Sequence, residues 1–141
     1  MPLDLTKAPP RSPREELRGL CMLPRMIDIA RGMLPGGKAG EYQIGRGLSG
    51  VVFAALSLSA AEFVALVAVA SSDDEVARQL WANRSVPAAA LSRRLRKLTV
   101  ADVPDELRPE FERFYGSDHP SDRRVFDILE ADDARMRDRV A

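Results

Sequence analysis

The sequence predicts a compact all-α domain, a bundle of six to seven helices around a proline-kinked N-terminal helix. Two observations predict this class. Apolar residues recur three or four positions apart along most of the chain, which is the spacing of amphipathic helices. Helix-capping serines precede several of these apolar segments and mark where helices begin. A glycine-rich loop follows the first helix, and we find no sheet.

The first helix is predicted over residues 12–34. Ser12-Pro13-Arg14-Glu15 has the form of a capping box with proline at the first helical position, which satisfies free amides at a helix start. Pro24 lacks the amide that would bond the carbonyl of Leu20, so a kink is expected near residues 21–23. The apolar face of this helix comprises Leu17, Leu20, Cys21, Leu23, Ile27, Ala30 and Leu34.

Later helices are expected to pack around the first one. They begin near Ser59, Ser72, Ser85 and Pro120. Ser59 and Ser72 each stand three residues before a glutamate, as in a capping box. A shorter helix is expected to end at Gly116, because glycine readily adopts the backbone conformation that ends a helix.

Length and composition predict a single soluble domain. The chain has 141 residues, of which 45% are hydrophobic and 30% are charged. Residues 1–11 contain several prolines and are expected to run extended over the surface, which leaves residues 12–141 as the helical domain. The single cysteine, Cys21, excludes an internal disulfide and fits a cytoplasmic location. The N-terminus is not expected to be a signal peptide.

Charge and hydropathy predict neither a nucleic-acid partner nor a membrane partner. The 21 basic and 21 acidic residues cancel, so the whole chain carries no excess charge. The basic residues of segment 93–97 are expected to form a solvated helix face. No run of about 18 apolar residues predicts a transmembrane helix. The segment most similar to a transmembrane run is residues 48–70, and it is interrupted by Ser57, Ser59 and Glu62.

Residues 36–50 contain six of the nine glycines and form the predicted loop. Its last six residues, Gly45-Arg46-Gly47-Leu48-Ser49-Gly50, match the G-x-G-x-x-G pattern of dinucleotide-binding proteins. That fingerprint requires a buried strand before it and a βαβ unit around it, and the chain supplies neither. We therefore predict no cofactor, and we expect a loop that visits unusual backbone conformations or lies close against another part of the fold.

The candidate site lies where this loop would fold back onto the first helix. Arg25 and Asp28 are three residues apart on that helix, close enough to touch, and form either an exposed ion pair or a pair that faces a pocket. Glu41 and Tyr42 place a carboxylate beside a phenol on the loop. The candidates are Glu41 and Asp28 as catalytic proton acceptors, and Arg25, Tyr42 and Arg46 as substrate-binding residues. No metal ligand is predicted.

Two functions from different classes are compatible with this pattern. The first is a small-molecule site, either a binding pocket or a metal-independent acid–base enzyme, between the first helix and loop 36–50. The alternative is a non-catalytic helical module for protein–protein interaction or homodimerisation. A concave, largely apolar pocket with Arg25 and Glu41 converging on it would favour the first. A flat, contiguous apolar patch of several hundred Å² would favour the second.

Two further polar groups have simpler structural interpretations. His119 lies in a loop between Asp118 and Asp122, and Asp118 is expected to cap a helix rather than to serve an acid–base site. The acidic cluster of Glu130, Asp132 and Asp133 is expected at a solvated helix end, because it lacks the ligand spacing and the glycine of a calcium loop.

Four runs of the chain also match a known pattern: DLTKAPPRSPREELRGL, LPRMIDIAR, GEY and LSAAEFVALVAVASSDDEVARQLW. They resemble the bacterial family known as domain of unknown function 5069. The resemblance covers residues 4–82 well, and the tail more loosely through ADVPDELRPEF and LEADDAR. It implies a small, soluble, single-domain protein and implies no particular activity.

The positions that carry the resemblance include the candidate site. They are Pro24, Arg25, Asp28 and Arg31 on the first helix, and Gly40, Glu41 and Tyr42 on the loop. The chain departs from the family after Tyr42. The family tends to have a Cys-Pro-Leu-Asp-like segment leading into an aromatic-rich helix, whereas this chain has the glycine-rich residues 45–50. The departure implies a divergent member with a substrate of its own.

Overall fold

The protein is described by a computed structural model that covers residues 1–140. These residues form seven α-helices, two short 3-10 helices and one two-stranded hairpin, so the all-α class is confirmed. The helices are α1 (Leu23–Gly32), α2 (Gly47–Leu56), α3 (Ala60–Val69), α4 (Asp73–Ala82), α5 (Ala88–Lys97), α6 (Arg108–Tyr115) and α7 (Val125–Val140). The 3-10 helices are Val100–Asp102 and Asp105–Leu107.

The proline-kinked helix predicted over residues 12–34 is wrong. Its first half is a hairpin in which β1 (Glu16–Leu17) pairs antiparallel with β2 (Leu20–Cys21). α1 begins only at Leu23, with Pro24 in its first turn. A proline there costs little, because the first amides of a helix have no intrahelical partner. Pro24 therefore begins a helix instead of bending one.

A two-residue turn closes the hairpin. Arg18 and Gly19 both have positive φ, 52° and 79°, as a type I′ turn requires. Ser92 on α5 then fixes the hairpin to the bundle: its Oγ accepts a hydrogen bond from the amide of Cys21 at 3.0 Å and donates one to the carbonyl of Gly19 at 2.7 Å. Because Ser92 and Cys21 are buried, this hydroxyl replaces solvent for both backbone groups.

The helix starts predicted at Ser59 and Ser72 are right, because both serines cap a helix. The start predicted at Ser85 is wrong, because a proline follows it. Ser59 makes a complete capping box with Glu62, and Ser72 caps α4. α5 does not begin at Ser85 but after Pro87, since the residue before a proline is disfavoured in the helical conformation.

The last helix also begins later than predicted, at Val125 instead of near Pro120. The intervening residues form a turn, in which the amide of Arg123 bonds the carbonyl of Pro120, and they hydrogen-bond to the segment around the first 3-10 helix. The amide of Val100 bonds the carbonyl of Arg123, and the amide of Val125 bonds the carbonyl of Leu98. By contrast, Gly116 ends α6 as predicted, with φ at 92°.

α1 is the centre of the fold, as expected, although it is shorter than predicted. All of its residues except Arg31 are buried. Its apolar side chains join a core cluster that draws on the hairpin and on α2, α3, α4, α5 and α7. Phe53 of α2 and Phe63 of α3 meet edge to face in this core, with ring centroids 5.5 Å apart.

The N-terminal segment lies along the end of α1 and the loop that follows it, and turns at residues 5–7 instead of running extended throughout. Leu3 and Leu5 donate backbone hydrogen bonds to Arg31 and Lys38, and the amide of Lys38 bonds back to Leu3. The approach is close at Gly37, where an added Cβ would lie 2.6 Å from the carbonyl oxygen of Arg31. Only glycine fits there, so this part of the glycine-rich loop is indeed packed against its neighbours.

No single helix among residues 1–140 is long and apolar enough to cross a membrane. α2 and α3 meet the length and composition criteria only when taken together, and they are bent by 83° at their junction.

The hydrogen bonds of Ser92 generate a test of the hairpin's attachment. Ser92→Ala leaves the buried amide of Cys21 without an acceptor, so the free energy of unfolding should fall by about 1–3 kcal/mol. Urea denaturation measures this change. Ser71→Ala is the matched control, because Ser71 is exposed and should leave stability unaltered. Equal stability of the two variants would contradict the assignment.

Candidate functional site

A cavity of about 440 Å³ lies beside α1. α1, the loop that follows it, the start of α2, residues 98–107, α6 and α7 all contribute to its walls. Most of the lining is apolar or aromatic, and includes Ile29, Leu48, Leu107, Phe111, Leu129 and Met136. The volume falls within the range of about 300–1,000 Å³ that is usual for small-molecule sites.

A buried ion pair borders this cavity. Arg25 on α1 donates to both carboxylate oxygens of Asp133 on α7, from Nη1 to Oδ2 at 2.7 Å and from Nη2 to Oδ1 at 3.2 Å. Their side chains are only 5% and 2% exposed. Tyr42 on the loop donates its hydroxyl to Asp133 Oδ1 at 3.0 Å, and its ring lies 5.5 Å from the Arg25 guanidinium carbon. Three segments of the chain thus meet at one charge pair.

The surroundings of the two tyrosines keep their hydroxyls protonated. Burial, followed by the charge of Asp133 and the hydrogen bond to it, raises the pKa of Tyr42 well above its usual range. Burial also raises the pKa of Tyr115, which lines the cavity from the end of α6, to about 12. Both phenols are therefore hydrogen-bond donors at neutral pH.

A second charge cluster fixes the N-terminal segment to α1. Arg11 donates to both oxygens of Asp28, at 3.0 Å each, and to Asp73 on α4 at 2.7 Å. Arg31 lies 3.0 Å from Asp73. Arg25 links the two clusters by donating to the backbone carbonyl of Arg11 at 3.2 Å.

These contacts correct the predicted pairing on the first helix. Arg25 and Asp28 do not pair with each other, and neither is exposed; Arg25 pairs with Asp133, and Asp28 pairs with Arg11. Helical spacing alone suggested the i, i+3 contact, but each side chain finds a partner from a distant segment. Arg25 lines the cavity, whereas Asp28 is not among the lining residues.

The other sequence candidates lie on the cavity wall. Tyr42 is half-buried beside Arg25. Glu41 lines the cavity with its side chain 77% exposed, and Arg139 is 3.8 Å away. Arg46 also lines it and pairs with Glu110 at 2.6 Å. The structure thus brings Arg25, Glu41, Tyr42 and Arg46 to one cavity and leaves Asp28 outside it.

Sequence reasoning missed three residues of this region. Asp133 was expected at a solvated helix end and is instead 1% exposed. A signal was present, because Asp133 continues the spacing of Phe126, Leu129 and Met136 along the buried face of α7. Arg11 was placed in a surface segment, and Tyr115 was considered only as part of a short helix. The partners of Arg11 are 17 and 62 positions away, and the Tyr115 hydroxyl makes no hydrogen bond within residues 1–140, so no local pattern indicates either residue.

The remaining polar candidates have structural contacts. His119 lies with Nε2 2.5 Å from the carbonyl oxygen of Tyr115 at the end of α6, and with Nδ1 3.2 Å from the guanidinium of Arg123. Glu130 accepts hydrogen bonds from Ser12 and Arg14. Within the described residues, no group of three His, Cys, Asp or Glu side chains is arranged to hold a metal ion.

The fold and the site define a mostly helical domain with a largely apolar cavity beside a buried ion pair. The chain belongs to the family described as domain of unknown function (DUF5069), whose model matches residues 7–135. The resemblance noted in the sequence is therefore confirmed. Comparison with proteins of curated function yields no match. Family membership assigns no activity, so the function has to be argued from the cavity itself.

The buried pair generates a prediction about stability. Asp133→Asn leaves the guanidinium of Arg25 buried without a counter-charge, which should lower the free energy of unfolding by about 3–5 kcal/mol. Chemical denaturation measures the loss. Asp138→Asn, on the same helix but exposed, is the control and should change stability little.

The double variant Arg25→Met with Asp133→Leu tests the cause of that loss. Removing both charges should recover most of the stability, because well-packed apolar side chains often replace a buried ion pair without loss. A double variant as unstable as Asp133→Asn would show that the charge pair is not the cause.

The Arg11 cluster predicts a dependence of stability on pH. Burial alone would raise the pKa of Asp73, but Arg11 and Arg31 lower it below the usual 3.8. The ionised carboxylate therefore stabilises the fold above about pH 4, and this contribution is lost as the pH falls through the lowered pKa. Asp73→Asn should be less stable than wild type at pH 7, and the difference should shrink below pH 3.8.

Urea titrations at pH 7, 4 and 3 would follow this difference. Asp74→Asn, at the exposed neighbouring position, is the control. A gap between Asp73→Asn and wild type that stays constant across these pH values would rule out the linkage.

Proposed function

We propose that this protein binds a small, largely apolar molecule in the cavity beside α1. The observation that supports the proposal is the combination of a cavity of about 440 Å³, mostly apolar walls and a buried polar cluster on one side. Small-molecule sites in proteins have this composition, in which apolar walls supply most of the affinity and a few fixed polar groups set the orientation.

The polar groups favour binding over acid–base chemistry as the primary role. Glu41 stands at the solvent-exposed part of the wall, and Asp28 is held by Arg11 outside the cavity. Arg25, Tyr42 and Asp133 already satisfy one another. These groups form a rigid surface against which a ligand packs. An acid–base activity that uses Glu41 remains a prediction of the sequence.

The interaction-module alternative has weaker support. It requires a contiguous exposed apolar patch. The exposed large hydrophobic side chains are Met1, Met33, Val69 and Phe114. They belong to four different segments of the described chain, and Phe114 borders the cavity. The homodimerisation hypothesis therefore stays a prediction.

Filling the cavity tests the proposal. Leu48→Trp adds bulk at a half-buried position that lines the cavity, so binding of a neutral apolar probe such as 1-octanol should be lost. Isothermal titration calorimetry measures the affinity, and binding to the wild type should carry a negative heat-capacity change, because apolar surface is buried.

Leu66→Trp is the matched control. Leu66 is also half-buried, but it lies on α3 and does not line the cavity, so 1-octanol should still bind. Thermal unfolding of both variants checks that each is folded. Failure of 1-octanol to bind the wild type, or equal binding to both variants, would refute the proposed function.

A further inference from the structure

We infer that the ligand is an uncharged molecule with an apolar body and a hydroxyl-like end that accepts a hydrogen bond from Tyr115. This inference rests on the proposed function and adds the chemical class of the ligand. It follows from the charges of the cavity wall, from the hydrogen-bonding groups left open there, and from the volume.

The cations of the wall are already paired, which disfavours an anionic ligand. Arg25 is neutralised by Asp133, and Arg46 contacts Glu110 at 2.6 Å. Arg139 stands at the solvent side of the wall with its side chain 64% exposed, 3.8 Å from Glu41. A carboxylate or phosphate that entered the interior of this cavity would lose its hydration without gaining an unpaired cation there. Burial of a charge under those conditions costs several kcal/mol.

A cationic ligand finds little compensation either. Among the acidic side chains of the wall, Asp132 is closest to the polar cluster in sequence, and its Oδ1 accepts from Arg135 at 2.7 Å. That contact offsets the negative charge of Asp132. Its Oδ2 accepts no hydrogen bond from the described residues, so this oxygen can take a proton donor such as a hydroxyl without an additional charge.

Tyr115 supplies the matching donor. Its hydroxyl makes no hydrogen bond within residues 1–140. The hydroxyl oxygen is not fully enclosed by protein either, so it borders open space. Tyr115 lines the same cavity as Arg25 and Asp132. Because the phenol remains protonated at neutral pH, it offers a hydrogen to an uncharged oxygen.

The surroundings of Tyr115 hold its ring in place and provide the apolar part of the site. The Phe111 ring lies 5.1 Å away and the Phe114 ring 6.4 Å away, both tilted against it. At about 30 Å³ for each water-sized group, the cavity has room for roughly fourteen such groups. A ligand with a chain or ring system of about ten carbons and one hydroxyl fits both the volume and the polar groups.

A series of octyl compounds with different head groups tests the inference on the wild-type protein. The probes are 1-octanol, octanoate and octylammonium, each titrated calorimetrically at pH 7. We expect 1-octanol to bind most tightly, by about tenfold or more over either charged probe, because only the charged head groups lose hydration without compensation. Tighter or equal binding of octanoate or octylammonium would overturn the inference and leave the proposed function intact.

Tyr115→Phe tests the assigned donor. The variant removes one oxygen and keeps the ring, so thermal unfolding should be close to that of wild type. Its affinity for 1-octanol should fall by roughly three- to tenfold, the effect of losing one hydrogen bond. Its affinity for 1-chlorooctane, which has no hydroxyl, should not change. Equal loss for both probes, or no loss for either, would remove Tyr115 from the site. Absence of binding by every octyl probe to the wild type would instead refute the proposed function as well.

Discussion

The buried pair of Arg25 and Asp133 is the interaction on which the arrangement of this fold depends. An ion pair this deep is stable only when its hydrogen-bonding groups are satisfied, since both charges have lost their hydration. Asp133 receives two bonds from Arg25 and one from Tyr42, and Arg25 also donates to the carbonyl of Arg11. The geometric demands of one pair thereby fix the last helix, the glycine-rich loop and the N-terminal segment against α1.

The Arg11 cluster holds the N-terminal segment against α1 in the same way. Arg11 belongs to a segment with little secondary structure of its own, yet it contacts Asp28 of α1 and Asp73 of α4. The backbone bonds of Leu3 to the last turn of α1 and of Leu5 to the loop after it position this segment so that Arg11 reaches both Asp28 and Asp73. α1 can therefore be buried almost all round despite its charged residues, because each charge meets a partner from elsewhere in the chain.

These long-range pairs explain which parts of the structure were predictable. Helix caps such as those at Ser59, Ser72 and Gly116 are local, since all of their hydrogen bonds lie within a few residues, and the sequence indicated them correctly. The start of the first helix was misassigned because Ser12 has the local form of a cap. In the structure its hydroxyl donates to Glu130 of α7, a contact between residues 118 positions apart.

The candidate site shows the same division. Arg25 and Tyr42 were expected to line one pocket if the loop folded back onto the first helix, and their side chains do lie together. The hairpin was not predicted because its turn needs a positive φ at Arg18. Arginine seldom adopts a positive φ, so no sequence pattern indicated this conformation. The burial of Asp133 was missed because its acidic neighbours suggested an exposed helix end. Its spacing along the helix placed it on the buried face of α7, so the helical spacing predicted its burial better than the local charge did.

The size of the cavity is itself an argument about function. Interiors are normally packed to the density of organic crystals, with few voids larger than a water molecule. The space of about 440 Å³ beside α1 is far larger than such voids, and it opens to solvent near Glu41, so water can enter it. Water is a poor occupant of the apolar walls, because each buried water needs several hydrogen-bonding partners. An apolar molecule with one polar end satisfies both the walls and the open hydroxyl of Tyr115, so the packing and the chemistry of the lining favour the same kind of occupant.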